Sequence, residues 1–306
     1  MAQTLEANAP APMPPTSVTV RVPATSANLG PGFDCLGLAL DLWGSVTLSR
    51  EGGRTGRGGS MDRMILGAAH RLYERYGREA PNLTVRYDST IPIARGLGAS
   101  AVARVGALLA ANALEGEPFD REEMLALAAD LEGHADNAAP ALFGGLQVVV
   151  RDGDRILHTA VPLAGDLKAI LFVPELLMPT GRSRELLPQT VSRADAVYNL
   201  SRAALLVAAL SRGRLDLLDV ATEDRLHQPA RSQLFPAMYA IFEAALAAGA
   251  HCAYLSGGGS TICALASANE RAIAEAMAEA ARSREVTGQT IITTPTERGA
   301  EVREGS

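Results

Sequence analysis

Pro92-Ile93-Ala94-Arg95-Gly96-Leu97-Gly98-Ala99-Ser100-Ala101-Val102-Ala103-Arg104 is a glycine-rich turn running straight into an alanine-rich segment. The run before it, Leu83-Thr84-Val85-Arg86-Tyr87, reads as a strand, and Val102 to Leu114 is an unbroken series of helix formers. A strand, a tight turn and a helix in that order make a phosphate site, because free N–H groups and the positive end of the helix dipole both favour an anion there. Gly96 and Gly98 would let the backbone approach that anion with no Cβ between. The same residues could also be a plain loop that needs positive φ. They are not a P-loop, whose signature closes in Lys-Ser/Thr. The whole chain has one lysine, Lys168, in a polar break before an apolar strand, where a solvated role suits it better than a phosphate-gripping one.

Working outward, 306 residues allow one large or two ordinary domains, and 47% hydrophobic composition supports real cores. Aromatics make up only 4% and the formal net charge is −6, so neither the basic face nor the stacking rings of a nucleic-acid binder are visible. Cys35, Cys252 and Cys263 are odd in number and far apart, which argues against a disulfide framework or a zinc site and for small buried side chains. No apolar stretch is long enough to span a bilayer. Met1–Ser17 has neither the basic start nor the apolar centre of a secretion signal, so it reads as a flexible tail and the expected location is cytoplasmic.

Strands are expected over Ser17–Pro23 and Asp34–Leu48, the latter with a turn near Trp43-Gly44, followed by a mobile loop at Glu51–Ser60 and a helix at Met61–Tyr76. The glycine turn and its helix come next, then a helix at Arg121–Glu132 and strands near Gly145–Val150 and Arg155–Ala160. A second region opens with a strand at Leu167–Val173, continues with helices at Asp195–Ser211, Arg214–Asp224 and Pro236–Ala248, and closes with two strands around Ser256-Gly257-Gly258-Gly259-Ser260 and a helix at Asn269–Ser283. The pattern is α+β, with a ferredoxin-like second half. The expected division is a tail at 1–17, an N-terminal domain at 18–160, a C-terminal domain at 161–294 and a polar tail at 295–306.

Polar, glycine-rich clusters stand out from this apolar background: Pro23-Ala24-Thr25-Ser26-Ala27-Asn28-Leu29-Gly30-Pro31-Gly32-Phe33-Asp34, the Gly96–Ser100 turn, Glu132-Gly133-His134-Ala135-Asp136-Asn137-Ala138-Ala139-Pro140-Ala141-Leu142-Phe143-Gly144-Gly145, Thr180–Arg184 and Ser256–Thr261. Together and in this order they resemble the GHMP kinase superfamily and, within it, the homoserine kinases; the likeness runs from about Val18 to Ala266. It implies a ribosomal-protein-S5-domain-2-like N-terminal domain and a ferredoxin-like C-terminal domain. It also implies an active site in the cleft between them, where the γ-phosphoryl of Mg-ATP passes to the hydroxyl of L-homoserine, a step of threonine biosynthesis.

The resemblance distributes roles among these residues. Pro92 to Ala101 (Pro92, Ile93, Ala94, Arg95, Gly96, Leu97, Gly98, Ala99, Ser100 and Ala101), with Gly257, Gly258 and Gly259, would hold the nucleotide. Ser100 and Glu132 would reach Mg2+, an ion that favours one or two carboxylates beside phosphate oxygens; as structure alone, Ser100 is a helix N-cap and Glu132 a solvated helix end. Asn28, Asp34, His134, Asn137, Arg184 and Arg231 would bind the amino acid, with Asp34 on its ammonium and the two guanidiniums on its carboxylate. Asn28, Asp136, Thr180 and Arg184 would act nearest the reacting groups, although a loose transition state needs no strong base. Ala99 stands where the family has a first serine, and Ser256-Gly257-Gly258-Gly259-Ser260-Thr261 replaces Ser-Gly-Ser-Gly-Pro-Thr. The partners implied are homoserine and ATP, and the chain could pair as a homodimer. Two other readings stay open: a relative acting on another alcohol, and a binding protein that keeps the fold without turnover.

Overall fold

The computed structural model describes residues 15–50 and 59–304, apart from the side chains of 180 and 304. Most of the expected N-terminal tail and of the expected loop at Glu51–Ser60 lie outside the described residues.

The first sheet begins with strands β1 (Ser17–Ala27) and β2 (Leu36–Ser49), paired antiparallel along their length. The expected turn at Trp43-Gly44 does not form. Gly44 sits in the ladder between Val22 and Ser89, and the irregularity is a register shift at Pro23/Ala24, where proline has no N–H to give the ladder. Helix α1 (Ser60–Tyr76) leads to β3 (Thr84–Ser89), which pairs with the second half of β2. Helices α2 (Ala99–Leu114), α3 (Arg121–Glu132) and α4 (Ala138–Phe143) precede the hairpin of β4 (Leu146–Asp152) and β5 (Arg155–Val161). Helix α3 starts on a capping box in which Asp120 and Glu123 satisfy each other's backbone N–H, and that box sets where Glu132 falls one helix length later.

The second sheet opens with β6 (Lys168–Pro174). The short helix α5 (Thr180–Glu185) and the long α6 (Arg193–Arg212) follow. The weaker helix expected at Arg214–Asp224 is a 3-10 turn at Leu215–Leu217 running into α7 (Leu218–Ala221). Then come α8 (Gln228–Arg231), α9 (Met238–Ala247), β7 (Cys252–Leu255), β8 (Ile262–Ala266), α10 (Glu270–Arg282) and β9 (Gly288–Thr293). The strand order is β7-β8-β6-β9, all antiparallel.

One expectation is corrected at the C-terminus. The segment from 295 is not a free polar tail: Glu301–Glu304 forms β10, which pairs antiparallel with β1 and completes the first sheet in the order β10-β1-β2-β4-β5. Alternation of charge and apolar residues in Glu301-Val302-Arg303-Glu304 is weak strand pattern, and only an open neighbouring edge makes it a strand.

Helix α2 is buried along nearly its whole length, which explains why it is so rich in alanine: short side chains let it lie close between the first sheet, α1 and α3. Helices α9 and α10 cover one face of the second sheet. Its other face, with Leu171, Cys252, Tyr254, Cys263 and Leu265, belongs to the same apolar cluster as α2 and the first sheet. The halves therefore share a continuous interior. The three cysteines are free, and Cys252 and Cys263 are buried, as small apolar residues would be.

Candidate functional site

Two turns meet where the halves join. The glycine turn of the first half packs on the Ser256–Ser260 turn of the second, through backbone atoms and the Ser256 hydroxyl. Ser256 Oγ donates to Gly96 O at 2.6 Å, Thr261 N to Arg95 O at 2.9 Å and Gly257 N to Ala27 O at 2.9 Å. A Cβ on Gly96 would lie 2.1 Å from Ser256 O and one on Gly98 1.9 Å from Thr25 Oγ1, while both residues sit at left-handed φ, +77° and +67°. These glycines thus serve the weld between elements as well as any approach of phosphate. Gly98 is the N-cap of α2, so Ser100 is not the cap and lies inside the first turn, its hydroxyl free for another role.

That role is visible in its partner. Ser100 Oγ donates to Glu132 Oε2 at 3.2 Å, and Arg104 lies 2.5 Å from Oε1. The approach of Arg104 falls outside hydrogen-bond geometry, and Oε1 is a buried oxygen with no hydrogen-bond partner among the described residues. Glu132 is thus a buried carboxylate beside the glycine turn, not a solvated helix end.

The cleft beside this turn has a volume of about 270 Å3. Its walls include Ile93 to Ser100, Glu132, His134, Asp136, Asn137, Asn28, Asp34, Arg184, Arg231, Gly257 and Gly258. Of the sequence candidates, Pro92, Ala101 and Gly259 do not line it; Gly259 faces Met178 instead. The Arg95 side chain is turned to the second half, donating to Pro174 O and Glu175 O, each at 2.8 Å, so its guanidinium is committed to the fold. Thr180 begins α5, and its side chain lies outside the described residues. Met61, Met64 and Pro179 also line the cleft. The two methionines were legible only as the apolar stripe of a helix.

Asp34 and Arg184 were expected to hold opposite ends of a ligand; here they hold each other, through a bidentate pair at 2.7 and 2.8 Å. These hydrogen bonds keep the Arg184 guanidinium above its ordinary pKa despite partial burial. Arg231 is buried, and its pKa is pushed down to about 10, first by loss of solvent and next by the charge of Arg184. Phe33 lies under both guanidiniums, at 5.2 and 5.4 Å. Two cations converging on one wall, one of them desolvated, favour an anion between them.

Asn28 lies in a strained turn: Asn28, Leu29 and Asp34 all have left-handed φ without being glycine. Its amide accepts from Asp34 N at 3.0 Å and donates to Gly257 O at 2.9 Å, so it braces Asp34 and spans the cleft. Across from it, Asp136 Oδ1 lies 2.5 Å from His134 Nδ1 and accepts from Asn137 Nδ2 at 3.2 Å, and Asn137 Oδ1 accepts from Thr25. Burial pulls the His134 pKa down, but its hydrogen bond to Asp136 and the charges of Asp136, Asp34 and Glu132 together leave it raised.

A glycine turn at a helix start, lining a cleft between two α+β halves and facing charged side chains, is an arrangement that suits a small-molecule kinase. The sequence matches GHMP kinases N terminal domain over residues 63–145 and GHMP kinases C terminal over 206–283. The homoserine kinase of Carboxydothermus hydrogenoformans is 39% identical over 293 residues, 92% of this chain and 96% of the relative. That of Symbiobacterium thermophilum is 47% identical over 239 residues, 72% of this chain and 74% of the relative. The crystal structure of homoserine kinase from Cytophaga hutchinsonii superposes with a TM-score of 0.82 at 28% identity, covering 98% of this chain and all of that one. The protein is thus an ATP-dependent kinase of the GHMP class. Within that class, the chain belongs to the homoserine kinase family.

Proposed function

We propose that the protein transfers the γ-phosphoryl group of Mg-ATP to the side-chain hydroxyl of L-homoserine. The observation that carries this reading is the charge arrangement of the pocket: one carboxylate, Asp34, and two guanidiniums, Arg184 and Arg231, beside a phosphate cradle. A zwitterion meets both needs at once. Its ammonium takes the place of Arg184 on Asp34, and its carboxylate receives Arg184 and Arg231, so no charge in the cleft loses a partner when the internal pair opens. A neutral sugar would leave that pair unrelieved.

The hydroxyl end then points toward the Gly96–Ser100 turn, where backbone N–H groups and the α2 dipole take the triphosphate. Mg2+ fits the donor types present, hard oxygens from Ser100 and Glu132; the Glu132 carboxylate is buried and ion-paired with Arg104, so Arg104 would have to give way for Oε1 to reach the ion. When bound, the ion neutralises charge on the β- and γ-phosphate oxygens. Asn28 keeps Asp34 in register and has one amide N–H left for the ligand. Asp136, held by His134 and Asn137, forms the polar wall facing the reacting hydroxyl; with a loose transition state, holding that hydroxyl in line does most of the work and little proton removal is needed early. As an amino-acid biosynthetic enzyme it would work in the cytoplasm.

The test is ADP release with Mg-ATP and L-homoserine, beside D-homoserine, L-serine, mevalonate and galactose. Turnover confined to L-homoserine is the expected result. Turnover on mevalonate or galactose in preference would overturn the pocket reading.

A further inference from the structure

Behind the pocket lies a buried polar group with no assigned role. His227 has no exposed surface, and its two ring nitrogens face partners of fixed character. Nε2 is 2.7 Å from Gly30 O, which can only accept, so Nε2 carries the proton. Nδ1 is 2.8 Å from an Arg231 amino group, which can only donate, so Nδ1 presents its lone pair. The ring is therefore a neutral imidazole with one tautomer, and burial, the largest influence on it, pulls its pKa below the ordinary histidine range.

Asp224 supports this arrangement from below. Its carboxylate accepts from the backbone N–H of Leu226, His227 and Gln228, at 2.9, 2.9 and 2.7 Å, and from Asn199 Nδ2 at 2.7 Å. Those bonds satisfy the carboxylate without the His227 ring, whose Nε2 is 3.7 Å away, and they fix the backbone that carries both His227 and Arg231. The same Arg231 amino group that meets His227 also donates to Gly257 O at 3.1 Å, where Asn28 donates as well.

We propose that His227 is a positioning residue for the amino-acid substrate: it ties the turn bearing Asn28 and Asp34 to Arg231 and aims the guanidinium at the substrate carboxylate. The proposal rests on the reading of Arg231 as a carboxylate anchor. It requires that loss of His227 act through Arg231 and spare the nucleotide.

His227→Phe keeps an aromatic ring, somewhat larger than imidazole, and removes both ring hydrogen bonds. Its KM for homoserine should rise about 10-fold or more, the effect of misaligning a charge-assisted hydrogen bond, while KM for ATP changes less than about 2-fold. In an Arg231→Ala background, His227→Phe should add nothing further to the homoserine KM. Should the Phe variant fail to fold, His227→Gln, which retains an N–H for Gly30 O and a carbonyl acceptor, is used in the same cycle and should show a smaller but equally non-additive rise. If Arg231→Ala raises the homoserine KM and the His227 variant adds its full effect on top, the positioning role is overturned and the anchor stands. If Arg231→Ala leaves that KM unchanged, the anchor itself falls, and the role of His227 with it.

Discussion

Asp34 and Arg184 hold each other in solvent-accessible contact, and on the proposed reading a zwitterion exchanges with that pair. On that reading, replacing Arg184 with alanine removes one carboxylate anchor and leaves the glycine turn untouched. Homoserine KM should rise by about 10- to 100-fold with little change in KM for ATP, as read from initial rates with each substrate varied; an equal loss of both affinities contradicts the assignment. His134 offers a prediction in pH. Because its folded pKa is raised, protonated His134 stabilises the native state fully below the unfolded value of about 6.5, and the benefit is lost as pH rises through the folded value. The stability difference between the native protein and His134→Gln should thus be largest below about pH 6.5 and shrink above it, measured by urea unfolding across pH. A difference that grows with pH would reverse the sign and remove Asp136 as the partner that charges the ring.

At the scale of elements, the start of α2 is where local chemistry and global packing depend on the same atoms. Gly98 is left-handed, and its Cβ position is occupied by Thr25 Oγ1. Gly98→Ala should cost roughly 1–3 kcal/mol in chemical denaturation, from backbone strain plus displacement of β1, and should raise KM for ATP. Gly67 is the contrast: it lies mid-helix in α1 with nothing within 4 Å of a Cβ, so Gly67→Ala should stabilise by roughly 0.5–1 kcal/mol. The helix over Arg121–Glu132 was legible in the sequence to the residue because its capping box is local. The path of β2 was not, because Trp43-Gly44 has turn composition while its neighbours on both sides hold it in a ladder.

Across the whole molecule, the segment after β9 works as a strap. Thr296 N donates to Ala39 O and Gly145 N to Thr296 O; Ala300 N donates to Ala141 O, at the end of the helix that follows the His134–Asn137 loop. Arg121 ties the two together by donating to Leu142 O and Ala300 O. Deleting residues from 295 onward should lower Tm by roughly 10 °C, several kcal/mol for a chain of this size, because β1 loses one of its two partner strands and α4 its backing. An unchanged Tm would make the strap dispensable.

The sequence by itself determined the alternation of strands and helices, the glycine turn before the enclosed helix and the family, since all three rest on short-range chemistry: glycine where φ is positive, alanine where a helix is enclosed, clustered polar residues in an apolar chain. It also brought forward Asp34, Arg184 and Arg231 as charged candidates. Only the tertiary structure decided how these are used. Asp34 and Arg184 pair across 150 residues, Arg95 spends its guanidinium on the second half, His227 reads as a fixed tautomer between Gly30 and Arg231, and the last strand returns to the first. Each of these depends on which donors and acceptors are buried together, and burial is set by how the two halves pack rather than by neighbours along the chain.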